Sequence, residues 1–326
     1  MKVLVTGAGG FIGSYLAELL ITDGHAVRAF LHYNSRSDVG NLRYVQSDIR
    51  RSMEIIYGDL ADPVAVTKAV RGTTHVFHLG ALIAIPYSYI HPFSFVQTNI
   101  VGTANVLNAC LELGTERLVM ASTSEVYGTA VTVPMDETHR LHPQSPYAAS
   151  KASADHLAQS YARSFDLPVV LVRPFNTFGP RQSMRAVIPT IIMQVLRNGS
   201  IEVGSTSPTR DFNYVTDIAN GFALAGTVDS VPCDGRVFNL GSGVERSIGD
   251  VINTVSSILC WNGSTHLCSE RLRPDTSEVQ RLMADSKLAA RELKWVHGGD
   301  RFHTNLVNTI NWYDAHLKEF PNGNTP

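Results

Sequence analysis

The first half of the chain alternates continuous apolar segments with segments whose apolar residues recur every three or four positions. Continuous segments predict strands buried on both faces, and the periodic ones predict helices. The predicted strands are Val3–Thr6, Ala26–Leu31, His75–Leu79, Leu118–Ser122 and Val169–Arg173, and the predicted helices are Ile12–Thr22, Val64–Val70, Asn99–Leu113 and Pro146–Phe165. This alternation favours an α/β fold with a doubly wound parallel sheet of the Rossmann type.

The pattern loosens after Gly179-Pro180-Arg181. A helix is predicted at Val187–Arg197, a loop at Arg210–Asp217 that leads into a helix through Ala225, a late strand at Val237–Leu240, and a polar tail at Asn322–Pro326. We therefore expect a dinucleotide-binding domain from residues 1–178 and 211–240. A smaller C-terminal substrate-binding lobe, residues 179–210 and 241–326, is expected to cover the carboxyl ends of the strands, where ligands bind in such sheets.

Composition narrows the class of protein. The 326 residues are 44% hydrophobic and 17% charged, as in soluble globular proteins, and the net charge of −2 gives no reason to expect nucleic acid binding. No apolar run is long enough to cross a bilayer, and the N-terminus reaches Gly7 before a signal-peptide hydrophobic region could form. The four cysteines form no C-x-x-C pair, so no metal site is expected. We predict a cytosolic protein without a membrane or nucleic acid partner.

A glycine motif lies between the first strand and the first helix. Its glycines have the spacing G-x-x-G-x-x-G, and glycine lets the backbone approach a pyrophosphate at a helix N-terminus. A tight turn would account for a lone triplet, but the strand–helix context favours a dinucleotide. The predicted contacts of this loop are Gly7, Gly10, Phe11, Ile12 and Gly13.

The end of the second strand lacks the carboxylate that usually holds the ribose 2′-hydroxyl of NAD. His32 or Arg36 could instead accept a 2′-phosphate, so the cofactor is predicted to be NAD or NADP, with a preference for NADP. Asp59 and Leu60 follow at a position from which they could contact the adenine. The alternative for Asp59 is a loop aspartate that caps the next helix.

Tyr147 and Lys151 lie one turn apart on a predicted helix, so their side chains share a face. An ammonium beside a phenol favours the phenolate, and we expect it to lower the pKa of the tyrosine. A surface helix contact would explain such a pair by chance. Here the pair follows a helix start at Ser145-Pro146 and comes soon after the strand end at Thr123, which favours catalysis.

These motifs together resemble the extended short-chain dehydrogenase/reductase family, in particular its nucleotide-sugar epimerases and dehydratases. The resemblance covers nearly the whole chain, and it rests further on His78-Leu79-Gly80-Ala81, Asn99-x-x-Gly102-Thr103-x-Asn105, Arg173-Pro174-Phe175-Asn176-x-x-Gly179-Pro180 and Arg210-Asp211-Phe212. It implies a nicotinamide cofactor that is retained and recycled, with Leu79, Ala81, Asn99, Tyr147 and Lys151 as further contacts. It also implies a homodimer in which the Asn99–Leu113 and Pro146–Phe165 helices form a four-helix bundle with those of a partner.

Within this family, Thr123-Ser124-Glu125 separates the branches. The resemblance implies that Thr123 binds the sugar O4 and that Ser124 and Glu125 serve a further step. Dehydratases of dTDP-glucose show Thr-Asp-Glu, whereas GDP-mannose dehydratases and UDP-glucuronate decarboxylases show Thr-Ser-Glu. Glu125 is then expected both to remove the C5 proton and to assist departure of the C6 hydroxyl. The alternative is a solvated glutamate at a helix start.

The predicted function is therefore that of a nucleotide-sugar 4,6-dehydratase. The chain is most similar to the dehydratases of legionaminic acid synthesis, which implies GDP- or UDP-N-acetylglucosamine as substrate. Asn176, Arg210 and Arg273 are expected to bind the diphosphate, and Ser88 to line the hexose. The alternatives are a UDP-glucuronate decarboxylase, a 4-epimerase and, from a different class, a catalytically inactive cofactor-sensing protein.

Overall fold

The structure is a computed structural model and describes residues 1–320. Its strands are β1 (Lys2–Thr6), β2 (Ala26–His32), β3 (Glu54–Gly58), β4 (His75–His78), β5 (Arg117–Ala121), β6 (Val169–Pro174), β7 (Thr177–Phe178), β8 (Ile201–Val203), β9 (Thr209–Asp211), β10 (Asn213–Tyr214), β11 (Asp234–Leu240), β12 (Glu245–Ser247) and β13 (Thr265–Leu267). Seven of them form a parallel sheet in the order β11-β6-β5-β4-β1-β2-β3. The predicted fold class is confirmed.

Helices cover both faces of this sheet. They are α1 (Phe11–Thr22), α2 (Ser47–Arg51), α3 (Pro63–Val70), α4 (Ile85–Ile90), α5 (Pro92–Phe95), α6 (Gly102–Glu112), α7 (Pro146–Phe165), α8 (Val187–Leu196), α9 (Val215–Thr227), α10 (Ile248–Ile258), α11 (Lys287–Glu292) and α12 (Phe302–Ala315). Val3 and Val5 of β1 pack with α1 and α9 on one face, whereas Leu4 packs with α3, α6 and α7 on the other. Successive strand residues point to opposite faces, which explains why these strands are apolar throughout.

The order of the strands reverses between β1 and β4. The chain runs outward from β1 through β2 to β3, and then returns to place β4 on the other side of β1. At such a switch point the crossover helices leave the two strand ends uncovered, so a crevice opens at the carboxyl edge of the sheet. This edge carries the glycine motif and the end of β5.

A second apolar core lies in the C-terminal half of the chain. It is formed mainly by α8, α10 and α12, and its fully buried members include Ile191, Val251 and Tyr313. Short strand pairs join neighbouring loops: β7 with β10, β8 with β13, and β9 with β12. The predicted C-terminal lobe therefore has a hydrophobic core of its own. Its boundaries stay a prediction.

The elements differ from the sequence prediction at several points. The edge strand β3 was not predicted, although the Ile-Ile-Tyr run within it favours strand structure. The helix predicted at Asn99–Leu113 begins as a π-helical turn at Val96–Val101 before α6. The predicted 210–217 loop contains β9 and β10. The predicted polar tail lies outside the described residues.

Within residues 1–320, none of the helices combines the length and the hydropathy that a bilayer span requires. The same residues contain no cluster of three or more His, Cys, Asp or Glu side chains arranged to hold a metal ion.

Candidate active site

The glycine loop is built by close backbone packing at the switch point. Gly7 has φ +70°, and a Cβ on it would lie 2.7 Å from the backbone nitrogen of Gly80 in the loop after β4. A Cβ on Gly13 would overlap the carbonyl oxygen of Gly7. The loop ends at Gly10, the N-cap of α1, which makes no side-chain cap hydrogen bond. Backbone N–H groups at this helix start suit a pyrophosphate, so the cradle fits a dinucleotide.

The residues predicted for the adenosine end follow β2 and β3. Leu31, near the end of β2, is buried, and a Cβ on Gly9 would lie 3.1 Å from its Cδ2 atom. Arg36 is exposed in the loop that follows. Asp59 accepts a hydrogen bond from the backbone nitrogen of Ala61 at 2.9 Å, and its Oδ2 lies 4.0 Å from Nδ1 of His32. The Asp59 carboxylate therefore shapes its own turn while half of it stays exposed.

The neighbouring Leu60 is buried and supports the loop after β4. A Cβ on Gly80 would approach its side chain within 2.8 Å. Leu79 and Ala81 are half-buried on either side of Gly80. These three predicted cofactor contacts therefore lie in adjoining loops at the carboxyl edge of the sheet.

Asn99 joins two parts of the site. Its Oδ1 accepts from the backbone nitrogen of Leu82, and its Nδ2 donates to the Leu82 carbonyl oxygen and to Ser150 Oγ, at 2.8, 2.9 and 2.9 Å. The Asn99 side chain is 1% exposed. It therefore ties the loop after β4 to α7, and its amide supports the site through these protein contacts.

Tyr147 and Lys151 share one face of α7, as predicted. Lys151 Nζ donates to the carbonyl oxygen of Ala121 at the end of β5, at 2.6 Å, and Tyr147 is hydrogen-bonded to Thr123. Burial raises the pKa of Tyr147, the charges of Glu125 and Asp155 raise it further, and the Thr123 hydrogen bond opposes this. Burial also lowers the pKa of Lys151. The expected lowering of the tyrosine pKa was wrong for the chain alone, because burial dominates and the charge of Lys151 is not among the effects that shift this pKa.

The Thr123-Ser124-Glu125 motif begins a 3₁₀ turn at the end of β5. Thr123 is the N-cap of this turn, and its Oγ1 accepts from the backbone nitrogen of Glu125 at 3.2 Å. Ser124 is 2% and Glu125 8% exposed. The interpretation of Glu125 as a solvated helix-start residue is therefore wrong, because the cap turns its side chain into the protein beside Tyr147.

Two arginines from the C-terminal half lie on the other side of Glu125. Arg273 Nη1 lies 3.8 Å from Glu125 Oε2, and Arg273 Nε lies 3.8 Å from Glu278 Oε2. Arg210, which is 5% exposed, donates from Nη2 to Glu278 Oε1 at 3.1 Å. Both arginines predicted to bind the diphosphate therefore converge on the predicted catalytic carboxylate.

Two buried atoms here have no hydrogen-bond partner among the described residues: Arg273 Nη1 and Asn176 Oδ1. Buried polar groups are nearly always paired, so such atoms point to groups that a ligand would supply. Both belong to residues predicted to hold the substrate. Ser88 differs, because it is fully buried and donates to the Ile85 carbonyl oxygen at 2.7 Å. The expectation that Ser88 lines the hexose is therefore not supported by this conformation.

Two parts of the site were missed at the sequence level. Glu278 follows Arg273 closely in the chain, but its contact with Arg210 depends on the fold. Asp155 lies four residues after Lys151, a spacing that could have placed it on the same face of α7. It is fully buried and ion-paired with Arg173 at 2.9 Å.

A doubly wound sheet with a glycine cradle at its switch point, and with a Tyr/Lys pair at the adjoining strand end, defines a nicotinamide-dependent enzyme of the extended short-chain dehydrogenase/reductase class. The family model described as GDP-mannose 4,6 dehydratase matches residues 4–298. The chain therefore belongs to the GDP-mannose 4,6-dehydratase family, and it is an NAD(P)-dependent enzyme of the nucleotide-sugar 4,6-dehydratase type.

Individual relatives agree with this assignment. The chain is 31% identical over 335 residues to the human dTDP-D-glucose 4,6-dehydratase, covering 98% of this chain and 92% of that protein. It is 31% identical over 298 residues to UDP-glucuronic acid decarboxylase 1 of Xenopus tropicalis, covering 86% and 67%. The dTDP-glucose 4,6-dehydratase DesIV of Streptomyces venezuelae, solved with NAD bound, superposes with a TM-score of 0.87 at 28% identity, covering 98% and 99%.

Proposed function

We propose that this enzyme converts GDP- or UDP-N-acetylglucosamine to the 4-keto-6-deoxy sugar. One observation carries this proposal: Glu125 is buried next to the Thr123–Tyr147 hydrogen bond and 3.8 Å from Arg273. Oxidation at C4 needs the tyrosine and the lysine. A buried carboxylate on the same side has a task only if the resulting ketone undergoes a second proton transfer.

Substrate binding rests on the C-terminal half of the site. Arg210 and Arg273 supply guanidinium donors suited to a diphosphate, and Asn176 would donate to it from Nδ2. The buried Oδ1 of Asn176, which lacks a partner in the described chain, would instead accept from a hydroxyl or N–H group of the substrate. Glu278 holds both arginines in place. The unpaired Nη1 of Arg273 faces Glu125, so the diphosphate end and the reacting end of the sugar are held within one site.

The first step uses the α7 face. A bound nicotinamide would accept hydride from C4 and return it at C6. Burial raises the pKa of Tyr147, so its phenol is protonated at neutral pH in the free chain and must release that proton to solvent before it can act as the base. The Lys151 ammonium stabilises the resulting phenolate. The phenolate oxygen of Tyr147 then takes the proton of the C4 hydroxyl, and Thr123 holds the sugar O4.

The second step uses the carboxylate. The 4-ketone acidifies the C5 hydrogen, because the carbanion is stabilised as an enolate. Glu125 takes that proton, and the C6 hydroxyl leaves as water with a proton from Glu125, assisted by Ser124. Tyr147 releases to solvent the proton that it took from the C4 hydroxyl, and one proton is taken up at C5. The 4-keto-6-deoxy sugar is then complete, and every protein group is back in its starting state.

The contacts at the cofactor end are proposals of the same kind. Gly7, Gly10, Phe11, Ile12 and Gly13 would hold the pyrophosphate, because they form the start of α1. Further contacts would come from Arg36, Asp59, Leu60, Leu79, Ala81, Asn99, Tyr147 and Lys151. The exposed Arg36 and the apolar end of β2 favour NADP over NAD.

A homodimer and a separate substrate-binding lobe are also proposed. Leu111 at the end of α6 and Phe165 at the end of α7 are exposed apolar side chains, which supports a homodimer through these two helices. The core of α8, α10 and α12 supports a separate substrate-binding lobe at residues 179–210 and 241–326. The cytosolic location stays a prediction from composition.

Mass spectrometry of the products tests the reaction. The protein is incubated separately with GDP-N-acetylglucosamine, UDP-N-acetylglucosamine and UDP-glucuronate. Loss of one water from a hexosamine substrate supports the proposal and identifies the nucleotide. Loss of carbon dioxide from UDP-glucuronate would instead identify a decarboxylase, for which the 31% identity to such an enzyme is the specific support. An unchanged mass with inversion at C4 would indicate an epimerase and leave Glu125 without its assigned task.

A further inference from the structure

A buried polar network connects the end of β5 to α7 beneath the reacting groups. Asp155 Oδ2 accepts from Ser122 Oγ at 2.7 Å, and from Arg173 Nε and Nη2 at 3.1 and 2.9 Å. Asp155 is fully buried, Arg173 is 3% exposed and Ser122 is 5% exposed. These groups are shielded from bulk solvent, so their positions depend mainly on one another.

The network continues away from the site on the β6 side. Arg173 Nη1 donates to the hydroxyl of Tyr127 at 2.9 Å, and that hydroxyl donates to Asn239 Oδ1 at 2.8 Å. The Arg173 guanidinium also lies over the Tyr127 ring, 4.8 Å from its centroid. Arg173 is therefore held from two directions, and it presents a fixed pair of donors to Asp155.

Three consecutive residues of the strand end are thus attached to three residues of α7. Thr123 is hydrogen-bonded to Tyr147, the Ala121 carbonyl oxygen accepts from Lys151, and Ser122 donates to Asp155. The helix residues 147, 151 and 155 are four apart and lie on one face of α7. The contact of Ser122 with Asp155 therefore lies between the Lys151–Ala121 contact and the Tyr147–Thr123 contact.

We propose that Ser122, Asp155 and Arg173 are positioning residues that fix the end of β5 against α7, and so hold Tyr147 and Lys151 in register for proton transfer at C4. This inference rests on the proposed function, because it assigns the network to the Tyr/Lys step. The Ser122 hydroxyl bond fixes the residue that lies between the Ala121 carbonyl oxygen and the Thr123 hydroxyl, and it adds to the backbone bond from the Ser122 nitrogen to the Val172 carbonyl oxygen at 2.7 Å. Catalysis is sensitive to such placement, since a misplacement of about 1 Å can cost about 100-fold in rate.

Ser122→Ala is the informative variant, because it removes one neutral hydroxyl and leaves the Asp155–Arg173 ion pair intact. Asp155→Asn is less useful, since it leaves the buried Arg173 charge uncompensated and endangers folding. Ser122→Cys provides a second variant, which keeps the side-chain volume but donates weakly. Ser160→Ala is the matched control on α7, because its exposed hydroxyl donates to the Leu157 carbonyl oxygen within the same helix.

The reaction is measured with substrate carrying deuterium at C4. We expect kcat to fall roughly 10- to 100-fold in both Ser122 variants, with KM changed less than about twofold and with a larger isotope effect on kcat, because hydride loss from C4 becomes slower. A crystal structure of Ser122→Ala should show Lys151 Nζ displaced from the Ala121 carbonyl oxygen. Ser160→Ala should match the wild type in each measurement.

The proposal is overturned if the Ser122 variants lose thermal stability but keep the wild-type kcat and isotope effect, since the network would then serve folding alone. An unchanged Lys151–Ala121 contact would overturn it as well. These outcomes are separate from failure of the proposed function. Dehydration, decarboxylation and epimerisation all begin with hydride transfer from C4 of the sugar to the nicotinamide. The single-turnover rate of this transfer therefore reports the effect of the Ser122 variants even if the wild-type product is not a 4-keto-6-deoxy sugar.

Discussion

The Nη1 atom of Arg273 lies 3.8 Å from the Oε2 atom of Glu125, although Glu125 follows the central strand β5 and Arg273 comes from the C-terminal half of the chain. Nη1 is buried and has no hydrogen-bond partner within the part of the chain that the structure describes. The contact links the proposed proton-transfer carboxylate to the proposed diphosphate-binding side.

Glu125→Gln should separate oxidation from dehydration. The amide keeps the shape of the side chain but cannot accept the C5 proton, so we expect water loss to fall about 100- to 10,000-fold. Reduced nicotinamide should still form in a single turnover and should accumulate, which its absorbance records. Tyr147→Phe is the control, because it should abolish both signals. Water loss at the wild-type rate in Glu125→Gln would refute the assigned role.

Arg273→Gln should weaken substrate binding. It removes the guanidinium that faces both Glu125 and Glu278, and we expect KM for the nucleotide sugar to rise at least about tenfold. Arg140→Gln, at an exposed position, serves as the control and should leave KM unchanged. Steady-state kinetics at two ionic strengths checks the result. Equal KM values for Arg273→Gln and the wild type would exclude Arg273 from the diphosphate site.

Arg36→Ala should alter the choice of cofactor. The exposed Arg36 guanidinium is proposed to pair with a 2′-phosphate, so the variant should bind NADP at least about tenfold more weakly while NAD binding stays the same. Calorimetry on protein freed of cofactor measures both constants. The exposed Arg51, which pairs with Asp48 at 3.7 Å, gives the matched control Arg51→Ala. A wild-type preference for NAD that Arg36→Ala does not change would contradict the prediction.

His78 should make the fold sensitive to acid. It is fully buried between Thr6 Oγ1 and Thr103 Oγ1, and burial lowers the pKa of its ring to about 3. The unfolded chain takes up the proton near pH 6.5, so the stability that the neutral ring provides is present above that pH and is lost as the pH falls towards 3. For this group alone the free energy of unfolding should drop by about 2 kcal/mol between pH 7 and pH 5.

Urea unfolding of the wild type and of His78→Gln at both pH values checks this. The variant lacks the titrating ring, so its loss of stability between the two pH values should be smaller by that amount. His25→Gln changes a histidine outside the core and should keep the wild-type difference. Parallel pH dependence in His78→Gln and the wild type would show that the ring does not titrate as the structure implies.

Much of the fold was predictable because it depends on local patterns. Apolar runs such as Val169–Pro174 can be buried only in the middle of a sheet, and the glycines after β1 permit the close packing that the switch point requires. The Tyr147–Lys151 pair follows from helical spacing alone. The edge strand β3 was missed because a run of five residues is too short for periodicity to identify, although its Ile-Ile-Tyr residues favour a strand; its pairing with β2 is a property of the fold.

The sequence by itself determined the class of enzyme, and it supplied the proposed reacting pair and cofactor cradle, because each is encoded within a few neighbouring residues. Only the tertiary structure decided that Glu125 is buried beside Tyr147, that Glu278 bridges Arg210 and Arg273, and that Ser88 is fully buried and bonded to the Ile85 carbonyl oxygen. It also reversed the expected direction of the Tyr147 pKa. The physical reason is that burial and long-range charge depend on segments far apart in the chain, which local spacing does not record.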